Sequence, residues 1–335
     1  MISQIDIEDF GPIRKASLKL TPLHALIGPN DSGKSSLLRA IEAIVNLKPD
    51  ARAGAACQTR ITAAATTWDW IEVTWTTANG AIGRYREMPD RSIEPGEPAT
   101  LCAAIGPCRY VQFDPDRLGD RSQVLKREDV LAFPLQRGHE LAGVLDYLKD
   151  QNDDKFAQLD GRVQALFPSV KRLFLGRDNS QKVVGVRTTT GAEVVGSAIS
   201  AGLLTFVAYL TISAVTGAKI LLVEEPENGL HPARIRDVVG VLRNLSENGV
   251  QVIMATHSPL VVNELLPEEV TVVTRTPEYG TVLTPLRDTP NFELRSKAYA
   301  LGELWLAYAD GSCEAPLLET TSPDASGADA GEAAR

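Results

Sequence analysis

The sequence predicts an α/β fold: a mainly parallel central sheet flanked by helices, with an antiparallel β subdomain and a helical insert. Three observations carry this. An apolar run at residues 23–27 leads through a glycine-rich turn into a helical pattern at 35–45. Further on, helices and strands alternate: helix 200–216, strand 220–223, helix 232–246, strand 250–255. Such alternation builds a parallel sheet covered on both faces. Between residues 117 and 174 the pattern changes to short helices.

Residues 2–9 alternate and read as an edge-type strand, Gly11-Pro12 as a turn, and 16–20 as a second strand. Residues 49–67 are alanine-rich and yield no assignment. Residues 68–76 alternate clearly, Asn79-Gly80 signals a hairpin, and 81–86 return. Residues 88–98 hold three prolines and read as loop; 109–113 is a strand ending at Asp114-Pro115. Leu141, Val144, Leu145 and Leu148 mark a helix over 139–149, and Phe156, Leu159, Val163 and Leu166 another over 156–167. Strands resume over 173–195, with turns at 177–179 and Thr190-Gly191. A closing hairpin is expected from 270–273 and 281–283, then a final helix over 292–308. Residues 320–335 are small, polar and acidic and are expected to be disordered.

Length and composition suit a soluble globular protein: 335 residues, 44% hydrophobic and 23% charged. A net charge of −9 supplies no general attraction to nucleic acid, so DNA contact would need a local basic face. Arg84, Arg86, Lys171, Arg172 and Arg177 could form one, though scattered arginines more often lie in solvent. Cys57, Cys102, Cys108 and Cys313 lack metal or redox spacing and read as buried or bystander thiols in a reducing cytosol. The first residues do not form a signal peptide. Residues 201–218 carry no charge and approach membrane-spanning length, but Gly202, Thr205, Thr211, Ser213, Thr216 and Gly217 interrupt them. They read as a helix buried in a soluble core, so a cytoplasmic protein without membrane contact is expected.

The turn after residue 27 carries Gly28, Gly33, Lys34 and Ser35 in the pattern G-x-x-x-x-G-K-S. Between a strand end and a helix start, backbone N–H groups converge and the helix dipole favours anions. Glycines let that backbone wrap phosphate oxygens closely. Gly28, Pro29, Asn30, Asp31, Ser32, Gly33, Lys34, Ser35 and Ser36 are therefore the expected nucleotide-binding loop. Lys34 would reach the β- and γ-phosphates, and Ser35 would bind Mg²⁺.

The strand 220–223 runs into Glu224-Glu225-Pro226-Glu227. A carboxylate at the end of a strand beside a phosphate loop is where Mg²⁺ is held, which suits Glu224. Glu225, one residue on, could orient or deprotonate an attacking water. His257 ends the apolar strand 250–255 within Thr256-His257-Ser258-Pro259 and could sense a γ-phosphate. His24 and His139 receive no role, and His231 reads as a turn residue before Pro232.

Taken together the chain resembles the ABC-type ATPases of the SMC/RecF/OLD branch, in particular compact members without the long coiled coil, which often occur in bacterial anti-phage or DNA-linked systems. The matching pieces are 5–13, the Walker A loop 28–35, the Walker B strand 220–225, the D-loop region 227–232, the switch histidine in 256–259, and Leu301-Gly302-Glu303-Leu304-Trp305. The resemblance implies a P-loop NTPase fold of ABC-ATPase type, ATP and Mg²⁺ as cofactors, and ATP hydrolysis with Lys34, Glu225 and His257 as catalytic residues. It also implies a homodimer or higher oligomer closed around ATP, in which a signature motif at Ser200 and Gly202 contacts the nucleotide of the other protomer. Ala201 departs from the usual signature residue, and no arginine follows. The family's Phe-Arg pair reads Phe10-Gly11, with Arg14 a substitute contact. Gln112 is the nearest candidate for the Q-loop glutamine, or equally a packed residue.

The expected division is 1–113 and 176–310 as two parts of the ATPase core, 114–175 as helical insert, and 311–335 as tail. No nuclease-like segment follows the core, so the effector is expected to be another protein, a nuclease or toxin. Two other readings stand beside this: a nucleotide-gated scaffold with little turnover, and the ATPase subunit of a membrane transporter.

Overall fold

The computed structural model describes residues 1–46, 53–63, 71–74, 84–87, 106–131, 136–178, 180–215, 217–289, 292–297 and 300–303. The strands in chain order are β1 (Ile2–Phe10), β2 (Ile13–Lys19), β3 (Leu23–Ile27), β4 (Ala53–Ala63), β5 (Ile71–Thr74), β6 (Arg84–Glu87), β7 (Cys108–Val111), β8 (Val170–Asp178), β9 (Gln181–Thr188), β10 (Glu193–Val195), β11 (Ile220–Glu224), β12 (Gln251–Thr256), β13 (Val270–Thr276) and β14 (Gly280–Pro285). The helices are α1 (Lys34–Val45), α2 (Arg127–Leu131), α3 (Leu141–Gln151), α4 (Asp153–Leu166), α5 (Ala201–Val215), α6 (Pro232–Glu247), α7 (Pro259–Val262) and α8 (Phe292–Arg295).

Among the described residues eleven strands form one sheet in the order β6-β5-β4-β1-β2-β14-β13-β3-β12-β11-β7. From β13 to β7 all neighbours are parallel; from β13 to β6 all are antiparallel. The parallel half carries the glycine loop, and its strands are apolar on both faces, as burial between helix layers requires. On β11, Leu221 and Val223 enter one apolar cluster with α3 to α6, while Ile220 and Leu222 enter a second with α1 and β1. The two-residue strand period divides these side chains between the layers.

Helix α5 has no polar face. Leu203 through Ile212 are all buried, and Thr211 satisfies its hydroxyl on the Val207 carbonyl at 2.7 Å. It lies at the centre of the helical layer, and no helix of the described residues is long and apolar enough to cross a membrane. Helices α3 and α4 pack on a separate antiparallel sheet, β10-β9-β8, joined by a Lys182–Asp146 ion pair at 2.6 Å.

Two expectations change. Strand β1 is interior, paired with β2 and β4, because β4 forms in the alanine-rich stretch that carried no assignment. The final helix is not continuous: α8 ends at Arg295, residues 296–297 form a turn, and 301–303 are helical again, with the Gly302 N–H on Asn263 Oδ1 at 2.7 Å. The Asn79-Gly80 turn, residues 304–308 and the tail lie outside the described residues, although β5 and β6 pair antiparallel as a hairpin would.

Candidate functional site

The loop between β3 and α1 is shaped by its neighbours. Gly33 has φ 109°, and a Cβ there would meet Thr281 Oγ1 at 2.3 Å; a Cβ on Gly28 would meet the Val273 carbonyl at 2.1 Å. Both glycines are thus demanded by close approach of the β13–β14 hairpin as well as by the turn. Thr281 Oγ1 also donates to the Ser32 carbonyl at 2.9 Å, which clamps the loop from the side. The first N–H groups of α1 have no acceptor within the helix and are available to a ligand. Lys34 Nζ folds back onto the carbonyls of Gly28 and Pro29 at 2.8 and 2.7 Å. Burial holds its pKa below the ordinary lysine value, against the opposing pull of Glu225, Glu224, Glu227 and Asp31.

Glu224 ends β11 beside this loop. The Ser35 hydroxyl donates to its Oε1 and the Tyr110 hydroxyl to its Oε2. The Arg39 guanidinium lies over the Tyr110 ring, 3.5 Å from its centroid. Glu225 follows with φ 48°, a left-handed backbone unusual for a non-glycine residue. This turns its side chain out of the strand, while its N–H is held by the Ala255 carbonyl at 2.8 Å.

His257 lies beside Glu225 and Glu227. Its Nδ1 is 3.4 Å from Glu225 Oε1 and 3.6 Å from Glu227 Oε1. Pro226 to Leu230 form the following turn, closed by Asn228 N–H to Glu225 O at 2.9 Å and Leu230 N–H to Glu227 O at 3.0 Å. His231 caps α6, accepting the Ala233 N–H on Nδ1 at 3.2 Å.

A cavity of about 860 Å³ opens over the loop. Of the residues expected from sequence, Asn30, Asp31, Gly33, Lys34, Ser35, Ser36, Glu224 and Glu225 line it. Gly28, Pro29 and Ser32 do not line it, Gly28 and Ser32 being buried and Pro29 half-buried, and His257 lies beside Glu225. Ser200 and Gly202 are not in its wall: Ser200 precedes α5 and is exposed, and Gly202 backs onto the Gly229 carbonyl. Gln112 follows β7, with its N–H on the Gln136 carbonyl, and is not in the wall either. Arg14 donates to the Glu278 carbonyl. Sequence reasoning missed Gly11, Pro12, Ala255 and Arg275 in the wall, Tyr110 on Glu224, and Thr281 on the loop. Ala255 lies in the strand that leads to His257; the others reach the site from the β1–β2 turn, β7 and the β13–β14 hairpin, and no local pattern links those to the loop.

The residues present suit a nucleoside triphosphate with Mg²⁺. The glycine-floored cradle would be filled by any Cβ, and one hydroxyl and one carboxylate oxygen meet at its edge. Among the described residues no group of three or more His, Cys, Asp or Glu could hold a metal alone. Such a sparse set fits Mg²⁺, which keeps waters and shares phosphate oxygens, better than a cation needing a full protein cage.

Loop, strand-end acids and sheet order define a P-loop NTPase. Residues 1–82 match the family described as "AAA ATPase domain", and residues 121–263 the family described as "AAA domain, putative AbiEii toxin, Type IV TA system". Among solved structures, the SmcHead bound to the C-winged helix domain of ScpA matches with a TM-score of 0.59 at 13% identity, over 84% of this chain and 96% of that one. The SMC head domain from Thermotoga maritima matches at 0.52 with 14% identity, over 85% and 98%. The Smc head domain with an extended coiled coil bound to the C-terminal domain of ScpA, from Pyrococcus furiosus, matches at 0.51 with 12% identity, over 88% and 98%. At such identities the likeness is one of fold. No curated protein matches the sequence. Two segments of the chain thus match AAA ATPase domain families, and the fold they share is that of SMC heads. Family and fold point to ATP binding and hydrolysis.

Proposed function

We propose that the chain binds ATP and Mg²⁺ in this cavity and hydrolyses the γ-phosphate bond, as one of two protomers that close around nucleotide and thereby drive or gate a partner protein. The observation that carries the reading is the meeting of the Ser35 hydroxyl and the Glu224 carboxylate beside the loop that holds Lys34. Oxygens 189 positions apart in sequence converge where a triphosphate and its ion would need them.

In this reading the α1 N-terminus and the loop N–H groups bind the phosphates. Lys34 leaves the loop carbonyls to pair with the β- and γ-phosphates. Ser35 and Glu224 hold the ion, which when bound neutralises phosphate charge and orients the reacting group. Glu225 accepts a proton from the attacking water on its carboxylate, and His257, at 3.4 Å, orients that carboxylate and contacts the γ-phosphate. Ser200 and Gly202, away from this chain's own cavity at the start of α5, serve the site of the second protomer.

The segment 114–175 would transmit closure to the partner. An Smc head is bound to ScpA in two of the structures named above, and the corresponding partner here would be an effector, a nuclease or toxin, in anti-phage defence or a DNA-linked process. Ala201 in the signature position favours a second reading, a nucleotide-gated scaffold with little turnover.

The test is ATP turnover and gel filtration of wild type, Lys34→Ala and Glu225→Gln. Lys34→Ala is expected to lose nucleotide binding. Glu225→Gln is expected to bind ATP, turn over at least about a hundredfold more slowly and accumulate as a dimer. Wild-type rates in both variants would remove the proposal; ATP-dependent dimerisation of wild type with negligible turnover selects the scaffold.

A further inference from the structure

The cavity lies astride β3. On one side β12 and β11 deliver Ala255, Glu224 and Glu225; on the other β13 delivers Arg275 and the β1–β2 turn delivers Gly11 and Pro12. Adjacent strands are about 4.8 Å apart, so the strands of Arg275 and Glu224, three spacings distant, stand about 14 Å apart. The phosphate loop sits between them. If the γ-phosphate faces the carboxylates, the nucleoside extends toward Arg275.

The orientation of Arg275 follows from its register. It is directly opposite Thr281 in the β13–β14 pair, so both side chains leave the same face of the sheet. Thr281 uses that face to reach the Ser32 carbonyl of the loop, and its N–H holds the Pro12 carbonyl at 3.2 Å. Gly280, next along, lies so close that a Cβ would come within 2.7 Å of the Pro12 carbonyl. Hairpin, loop and β1–β2 turn are therefore one connected wall, and Arg275 projects from it.

The chemistry of that end is specific. Among the described residues the lining contains no aromatic ring, and Gly11 offers no side chain at all. Arg275 is exposed and, among the described residues, has no carboxylate partner. An exposed planar guanidinium at the cavity wall, with no carboxylate partner among the described residues, is suited to stack on a ring.

We infer that Arg275 is the base-holding residue of the site, its guanidinium stacked on the purine ring against the Gly11-Pro12 turn. The inference rests on the nucleotide reading of the cavity and adds to it the residue that grips the base. Stacking on a ring face does not distinguish adenine from guanine, so the contact supplies affinity without base selectivity.

The experiment is calorimetric titration of the full chain with the non-hydrolysable β,γ-imido analogue of ATP, with the corresponding GTP analogue, and with inorganic tripolyphosphate, all with Mg²⁺. Arg275→Ala is expected to weaken both nucleotide analogues about tenfold and tripolyphosphate less than about twofold. Arg275→Lys, which keeps the charge and loses the flat face, is expected to restore less than half of that loss on a logarithmic scale. If Arg275→Ala binds the analogues as wild type does, or weakens tripolyphosphate equally, the inference is overturned while the cavity reading stands. If wild type binds no analogue, or Lys34→Ala binds as wild type does, the cavity reading fails and this inference with it.

Discussion

Glu227 Oε1 accepts the Thr256 hydroxyl at 2.7 Å. The same oxygen receives the His257 N–H at 3.4 Å, and the Thr256 Oγ1 accepts the Ser258 N–H at 2.9 Å. A carboxylate from the turn after β11 thus organises the turn after β12, and the histidine beside Glu225 is held by its own backbone. Its other oxygen, Oε2, is buried and unbonded among the described residues.

Removing that carboxylate should disturb geometry before it disturbs binding. Glu227→Ala leaves the Thr256 hydroxyl, whose residue is fully buried, without its acceptor, at a cost of about 1–3 kcal/mol. Thermal unfolding should show it. ATP turnover is expected to fall about tenfold with little change in KM, since the residue is not itself part of the cavity wall. Combined with Thr256→Val, the losses should be less than additive by about 1 kcal/mol. Full additivity would show that the two side chains act separately.

Gly33→Ala should abolish nucleotide binding and destabilise the fold by about 1–3 kcal/mol, because the new Cβ meets Thr281 Oγ1 at 2.3 Å and the backbone has φ 109°. Adding Thr281→Gly relieves the collision but leaves the backbone strain. Stability in urea should then recover in part. Complete recovery would mean that φ contributes nothing.

Tyr110→Phe removes the hydroxyl that donates to Glu224 Oε2. Among the described residues the carboxylate loses one of the two side-chain bonds that orient it, so the Mg²⁺ concentration for half-maximal ATP turnover should rise about tenfold, as with other supports of metal-binding carboxylates. The Arg39 contact on the ring persists in the variant, which keeps the fold intact. An unchanged Mg²⁺ requirement would remove Glu224 from the metal site.

His24 sets an acid limit on stability. It is buried between Thr21 and Thr271, and burial lowers its pKa from 6.5 to about 4, against a raising influence from Glu269. The unfolded chain takes up a proton below the unfolded pKa of 6.5, while the folded chain resists until about 4. Stability is therefore present above the unfolded value and falls with pH through that window, by about 2 kcal/mol between about pH 7.5 and pH 5. Urea titrations at the two pH values should show it, and His24→Gln should flatten the slope. An equal slope in the variant would assign the acid loss to other groups.

Much of the site could be read from the chain because its chemistry is local. The glycine loop needs a strand before it and a helix after it, and both are visible in hydrophobic periodicity. Glu224 and Glu225 stand out because an apolar strand ends in charge. The same logic found His257. By contrast, Arg275, Thr281 and Tyr110 reach the site through strand pairing, which local periodicity does not encode. Arg275 and Thr281 are neighbours of the loop only because β14 and β13 insert between β2 and β3.

The sequence by itself determined the succession of strands and helices, the loop chemistry and the acids at the strand ends, since each depends on residues a few positions apart. Only the tertiary structure decided that β1 lies inside the sheet, that the chain after Arg295 leaves its helix to meet Asn263, and that a hairpin presses on both loop glycines. Those outcomes depend on which apolar faces find each other across hundreds of residues. That choice is made by the packing of the whole core, not by any segment in isolation.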